Sequence, residues 1–286
     1  MLKLDIMWKT KLILNAFGSF GEDELSRITL IKKAGFDGFF TGWAGKGEVA
    51  RYAEIARDLG LIYQSVHAPF GRIRQIWEDN EENAEATIKE QIACIEDCGK
   101  AGVPLMVAHA FIGFEDHTPT AIGLERLERI VNAAEKASVK IAFENTEGEE
   151  YLEAIMNHFK GVSHVGFCWD AGHEMCYNHS QDLLAKYGDR LFGTHLNDNL
   201  GIKNPEGKIT FHDDLHLLPF DGIADWEYNT ARLVEHNFEG PLTFELKVPS
   251  KDPSVDLYSQ LSQQSYVFEC YKRACRVAAL YQKASK

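Results

Sequence analysis

Eight short apolar, β-branched or aromatic runs alternate with segments of helical period along this chain, and that alternation most constrains its fold. The runs cover residues 11–15, 37–41, 61–67, 104–109, 140–144, 164–170, 190–195 and 241–245. Between them apolar side chains recur three and four apart. Val49, Tyr52, Ala53, Ala56 and Leu59 form one stripe, and Leu127, Ile130, Val131 and Ala134 form another. Gly35, Gly60 and Gly102 each follow such a stripe, where a glycine at positive φ closes a helix. Strict strand–helix alternation demands parallel strands with their faces covered by helices.

Eight repeats in 286 residues predict closure into one α/β domain, a (β/α)8 TIM barrel over residues 1–286. About 250 residues is typical of that fold. An open doubly wound sheet is the competing arrangement. Its GxGxxG turn is missing, because the first strand is followed by Phe17-Gly18-Ser19-Phe20-Gly21. No stretch approaches about 18 consecutive apolar residues, so no membrane span is expected. Residues 1–11 lack the pattern of a secretory signal, and six scattered cysteines without a CxxC pair fit a reducing cytoplasm. With 30 Lys+Arg against 43 Asp+Glu, the formal net charge is −13. Gripping phosphate backbones needs clustered cations, so nucleic acid is disfavoured as a partner.

Six of the eight runs end in a side chain able to bind metal: His67, His109, Glu144, Asp170, His195 and Glu245. In a barrel those ends converge on one mouth, where active sites of the fold sit. Charge at the end of an apolar run is costly to bury unless it is paired, hydrogen-bonded or on a metal. One such residue alone is more often a hydrogen-bonded core or rim side chain; six in register point to a site. Residues two apart share a face, which sends Lys247 after Glu245, Asn197 after His195 and Phe111 after His109 towards the mouth. Mixed carboxylate and imidazole donors suit a divalent ion, Mn²⁺ or Zn²⁺ first, then Co²⁺, Fe²⁺ or Mg²⁺. Cys168 shares a face with Asp170 but reads as a small core residue.

Two loops add donors. In Trp169-Asp170-Ala171-Gly172-His173 the glycine permits a sharp turn that folds His173 over the mouth. A long polar stretch, residues 197–222, contains His212-Asp213-Asp214-Leu215-His216, whose Asp214 and His216 can hold a metal or a substrate hydroxyl. A solvated surface turn is the plainer reading of that stretch. Trp43, Phe70, Trp77 and Phe220 either wall a pocket or pack the loops. The acidic run 78–85 opens a helix, and the aromatic-rich stretch 255–283 supplies the last helix, with a face for a homo-oligomer contact.

The order of Glu144-Asn145-Thr146, Trp169-Asp170-Ala171-Gly172-His173, Thr194-His195-Leu196-Asn197-Asp198 and Phe244-Glu245-Leu246-Lys247 resembles the xylose isomerase-like barrel superfamily. His67-Ala68-Pro69 and His109 extend the resemblance over essentially the whole chain. That superfamily contains sugar phosphate isomerases/epimerases and apurinic endonucleases. The resemblance implies a divalent ion on Glu144, Asp170, His195 and Glu245, chelating an open-chain sugar or polyol. A Lewis acid on the carbonyl acidifies the adjacent C–H and stabilises an enediolate, and a carboxylate in reach carries the proton. Glu144 and Glu245 are the expected proton-transfer groups, and His173, Lys247, His67 and His109 the expected substrate contacts.

The endonuclease branch implies three zinc ions instead. His67, His109 and Glu144 would hold one; Glu144, Asp170, His195 and Glu245 a second; His173, Asp214 and His216 the third. One departure qualifies each branch. The glycine-rich stretch after the metal glutamate is reduced to Asn145-Thr146-Glu147-Gly148, and Gly201 stands where ketose 3-epimerases place an arginine. A keto-polyol dehydratase, with His173 or Lys247 as acid, and a sugar-binding barrel without catalysis are the remaining alternatives.

Overall fold

The computed structural model describes residues 9–17, 23–115, 118–204 and 206–286. Residues 1–8 and the stretch Gly18-Ser19-Phe20-Gly21, used above for the missing signal and nucleotide turn, lie outside them. Strands are β1 (Leu12–Asn15), β2 (Gly38–Gly42), β3 (Ile62–His67), β4 (Leu105–His109), β5 (Lys140–Glu144), β6 (Val165–Asp170), β7 (Leu191–His195) and β8 (Leu242–Phe244). Helices are α1 (Glu24–Ala34), α2 (Glu48–Leu59), α3 (Glu81–Ala101), α4 (Ala121–Ala137) and α5 (Glu149–His158), then α6 (Ala171–Cys176), α7 (Leu183–Tyr187), α8 (Trp226–Glu235) and α9 (Gln263–Ala284). The acidic run becomes the start of α3, capped where Asn83 N donates to Asn80 Oδ1 at 3.1 Å. Gly35, Gly60 and Gly102 end α1, α2 and α3 at φ of 112°, 62° and 74°, as the sequence requires.

The eight strands form one parallel sheet in the order β7-β6-β5-β4-β3-β2-β1-β8. Its two ends meet through a parallel bridge between Leu196 and Phe244, in which Leu196 N donates to Thr243 O at 2.8 Å. Thr243 N donates to Thr194 Oγ1 at 3.1 Å across the same seam. The open-sheet alternative is thereby excluded. At the neighbouring seam the buried Asn15 amide is satisfied twice by Leu246, donating to its O at 3.2 Å and accepting from its N at 2.9 Å.

Alternation along the strands separates two cores. The larger lies between sheet and helices. A small one, Leu105, Val107, Ala142 and Cys168, lies in step with His109, Glu144 and Asp170, so it forms an apolar floor under the strand-end donors. Among the described residues every cysteine is free, and no helix is long and apolar enough to cross a membrane.

Candidate metal centre and pocket

Strand register places the donors before any loop is considered. The β4–β5 ladder sets His109 beside Glu144, and the β6–β7 ladder sets Asp170 beside His195. His67 closes β3, and Glu245 lies one residue beyond β8. Glu144 is the hub of the group. Its Oε1 lies 2.7 Å from His195 Nδ1; its Oε2 lies 3.2 Å from His67 Nε2 and 3.3 Å from His109 Nε2. Glu245 Oε2 reaches the same His195 Nδ1 at 3.0 Å. Three sets of donor atoms lie within 4.8 Å of one another: His67–His109–Glu144, Glu144–Asp170–His195–Glu245, and His173–Asp214–His216.

Three of the imidazoles are oriented by carbonyl groups, which can only accept. His67 Nδ1 donates to Ala68 O at 2.9 Å, His173 Nδ1 to Asn145 O at 2.9 Å, and His216 Nδ1 to Glu245 O at 3.0 Å. With Nδ1 as the donor, the neutral form of each ring would turn an Nε2 lone pair inward. There it meets a carboxylate oxygen: Glu144 Oε2 for His67, Asp214 Oδ1 for His216 at 2.9 Å and for His173 at 3.5 Å. Two acceptors at such distances repel unless a cation lies between them. Backbone-anchored imidazoles facing buried carboxylates are the arrangement of metal ligands.

The electrostatics agree. Glu144, Asp170, Asp214 and Glu245 are all buried. Burial opposes their ionisation, yet the charge of His195 and hydrogen bonds from His109, His195 and His67 hold Glu144 well below the usual range. Burial and the neighbouring Glu144 and Glu245 raise Asp170, against the pull of His173 and His216. Burial disfavours charge on His173, but Asp170, Asp214 and Glu144 raise its pKa to about 10. His109 goes the other way: burial outweighs Glu144 and lowers it to about 4. The cluster recruits positive charge, as protons or as metal.

Two local expectations need correction. Gly172 makes no sharp turn; it lies inside α6, which Asp170 caps by accepting from His173 N at 2.7 Å. A glycine is required there because a Cβ would stand 1.9 Å from Asn197 Oδ1. Asn197 does turn inward, donating to Asp170 Oδ2 at 2.9 Å. Phe111 does not reach the mouth, because β4 ends at His109 and the alternation ends with it. Its ring stacks on Tyr151, with centroids 4.0 Å apart.

The two ends of the long polar stretch, 197–199 and 213–219, are buried, while Lys203, 206–208, Phe211 and His212 between them are exposed. Asp198 gathers it: Oδ1 accepts from Asn199 N and Ala224 N, and Oδ2 from Phe220 N and Trp226 Nε1, at 2.8–3.0 Å. Backbone bonds in both directions with Leu217 then bring Asp214 and His216 over the barrel mouth. His216 itself takes a left-handed φ of 48°.

Over the donors lies a pocket of about 410 Å³. His67, His109, Glu144, His173, Asp214, His216, Glu245 and Lys247 all line it, so it gathers most of the residues singled out in the sequence. Asp170 and His195 lie buried behind them. Trp43 and Phe70 wall the pocket; Phe70 stacks on His109 with centroids 4.3 Å apart. Trp77 packs instead on Tyr151, and Phe220 against Trp226 and under Arg276. Cys168 can approach Glu144 and His195, but burial and the nearby carboxylates push its thiol pKa well up. It belongs to the floor.

Sequence reasoning missed six lining residues: Gly42, Ile112, Glu147, Tyr177, Phe211 and Lys251. Glu147 had a local signal, since it follows Glu144 by three residues and precedes Gly148 at φ 74°. Its Oε1 accepts from Gly113 N at 2.8 Å, and burial raises its pKa. Lys251 had no local signal, because its partner Asp214 is 37 residues away.

Comparison with known proteins follows the same lines. The model of the xylose isomerase-like TIM barrel family matches residues 28–264. An uncharacterized protein, y4fM, of Sinorhizobium fredii (strain NBRC 101917 / NGR234) is 36% identical over 155 residues, 53% of this chain and 41% of that protein. A probable endonuclease 4 of Cenarchaeum symbiosum (strain A) is 26% identical over 149 residues, 49% of this chain and 51% of that one. The matched stretches thus span about half or less of these relatives. Among solved structures, the IOLI protein with a bound zinc atom superposes with a TM-score of 0.73 at 20% identity, covering 96% of this chain and 98% of that one. An L-ribulose 3-epimerase superposes with a TM-score of 0.70 at 13% identity, covering 96% and 95%. At these identities the structural likeness establishes the fold.

Proposed function

The chain belongs to the xylose isomerase-like TIM barrel family, and from that premise we propose that it is a divalent-metal-dependent isomerase or epimerase of a sugar or polyol. One observation carries the reading: carbonyl-anchored imidazoles and buried carboxylates floor a pocket of about 410 Å³, the size of a single small molecule. The donor set fits a divalent ion, Mn²⁺ or Zn²⁺ first, on Glu144, Asp170, His195 and Glu245. Bound there, the ion supplies Lewis-acid polarisation of a substrate carbonyl.

The chain's own residues supply the proton chemistry. Glu144 and Glu245 both reach His195 Nδ1 and both border the pocket. Removal of the proton beside the carbonyl by one, with return by the other, epimerises that carbon. Return by the same group to the neighbouring carbon isomerises. Glu245 is the freer of the two, since its Oε1 stands 3.7 Å from Lys247 Nζ and 3.9 Å from His216 Nδ1. Lys247 and His173 then meet substrate oxygens, while Trp43 and Phe70 exclude water.

The test is solvent-hydrogen exchange. Metal-loaded enzyme incubated with ketoses and keto-polyols in deuterated water should place deuterium on the carbon next to the carbonyl. The absence of exchange with every such compound, together with cleavage of an abasic or phosphodiester substrate, would overturn the proposal. That second outcome belongs to a trinuclear hydrolase, which one observation favours: all nine donors of three metal sets converge on Glu144 and Asp214. Its relatives include the protein named a probable endonuclease 4.

A further inference from the structure

The third donor set has a lysine hydrogen-bonded to its carboxylate, whereas the lysine nearest the central set, Lys247, stands 3.7 Å from Glu245 Oε1. Lys251 Nζ lies 2.9 Å from Asp214 Oδ2 and also donates to Phe211 O at 2.9 Å. Asp214 presents its other oxygen, Oδ1, to His216 Nε2 at 2.9 Å and to His173 Nε2 at 3.5 Å. His216 Nε2 also lies 3.1 Å from Oδ2, so the ammonium group and an imidazole share that oxygen. Among the described residues the set built on His67, His109 and Glu144 has no such ion pair: Glu144 meets imidazoles.

Resting on the metal-dependent reading above, we propose that Lys251 is a resident cation that makes His173–Asp214–His216 the weakest of the three donor sets. The ammonium supplies part of the positive charge this carboxylate needs and withdraws electron density from the ligand oxygen. A divalent ion entering beside it meets a like charge that is only partly screened. Neighbouring groups of a metal ligand shift affinity by about 10–100-fold when changed, which sets the expected size of the effect. The lysine is placed for this by its segment. Lys251 follows β8 by seven residues, and its side chain joins that segment to the β7–α8 loop at Phe211. A third of its side chain is exposed, so it is free to leave Asp214 without unfolding the loop.

Zinc titration of the full-length chain by equilibrium dialysis, read as metal per chain, tests the idea. The wild type should fill its Glu144-centred sets first and take its last ion at a free zinc concentration about tenfold higher or more. His216→Ala should abolish that last step, which identifies it. Lys251→Met should move the last step down to the concentration of the others, and Lys251→Arg, which keeps the charge, should titrate like the wild type. Superimposable curves for Lys251→Met and wild type, or three equal steps in the wild type, overturn the role of Lys251 and leave the metal-dependent reading standing. No zinc uptake by any of the four proteins overturns both. Circular dichroism of each variant before dialysis confirms that the titrations compare folded chains.

Discussion

His67–His109–Glu144 and His173–Asp214–His216 use the same chemistry, two imidazoles and a carboxylate, yet they are built by different means. The first stands on three neighbouring strand ends, where the β3–β4 and β4–β5 ladders place its members. Phe70 roofs it by stacking on His109. The second stands on the first turn of α6 and on a loop with no strand among its described residues, and that loop holds together through buried side chains, Asp198 first, with Asn199 and Asp213. A ladder places a donor through backbone bonds that any sequence makes. A loop places it through side chains that only this sequence has. The strand-end set should therefore be rigid and the loop set conditional.

Glu144→Gln attacks the feature the strand-end set shares with the central one, and carries the largest expected effect. Turnover should fall by about 10²–10⁴-fold. Metal should be lost from the strand-end and central sets, while His173–Asp214–His216 keeps its donors. Steady-state rates and metal analysis of the same preparation check both parts. Retention of all bound metal would show that Glu144 is not the shared ligand.

Asp198→Asn strikes the opposite side of the comparison. The amide nitrogen that replaces one carboxylate oxygen accepts nothing, so two N–H groups lose their partner, costing about 1–3 kcal/mol each. Chemical denaturation should register that loss. The His67–His109–Glu144 set should still bind metal, and the set containing His216 should not. Equal loss from both sets would mean the loop is no more conditional than the ladder.

The smallest effect separates the sets by pH. His173 has its pKa raised from 6.5 to about 10, so its proton stabilises the metal-free fold fully below 6.5, and that contribution is lost as pH rises through 10. His109 has its pKa lowered from 6.5 to about 4, so it takes stability away as pH falls from 6.5 to 4. Melting curves of metal-free protein should thus report the loop set on the alkaline side and the strand-end set on the acid side. Saturating zinc should flatten the alkaline slope, because the ion replaces the proton.

The readability of the two sets differed for the same reason. His67, His109, Glu144, Asp170 and His195 each close an apolar run, a pattern contained within five to seven residues. Asp214 and His216 showed only an Asp-x-His pair in a polar stretch, which a surface turn would show equally. Nothing near Asp198 announces that it collects four donors, since Trp226 and Ala224 are more than twenty residues away. Gly172 was visible as a glycine, but the reason for it, Asn197 Oδ1 against the space of a Cβ, lies across the barrel mouth.

By itself the sequence determined the eight-fold alternation, the parity of the strand faces, the helix ends at Gly35, Gly60 and Gly102, and the kinds of donor at the strand ends. All of these follow from local period and local burial. Closure decided the rest. Only when the sheet ends met at Leu196 and Phe244 did Glu245 come beside His195. Only the packed loops fixed which nitrogen of His67, His173 and His216 faces inward, and set Lys251 on Asp214. The physical reason is range: a short pattern encodes which way a side chain points, whereas what it meets there depends on segments that folding brings back from far along the chain.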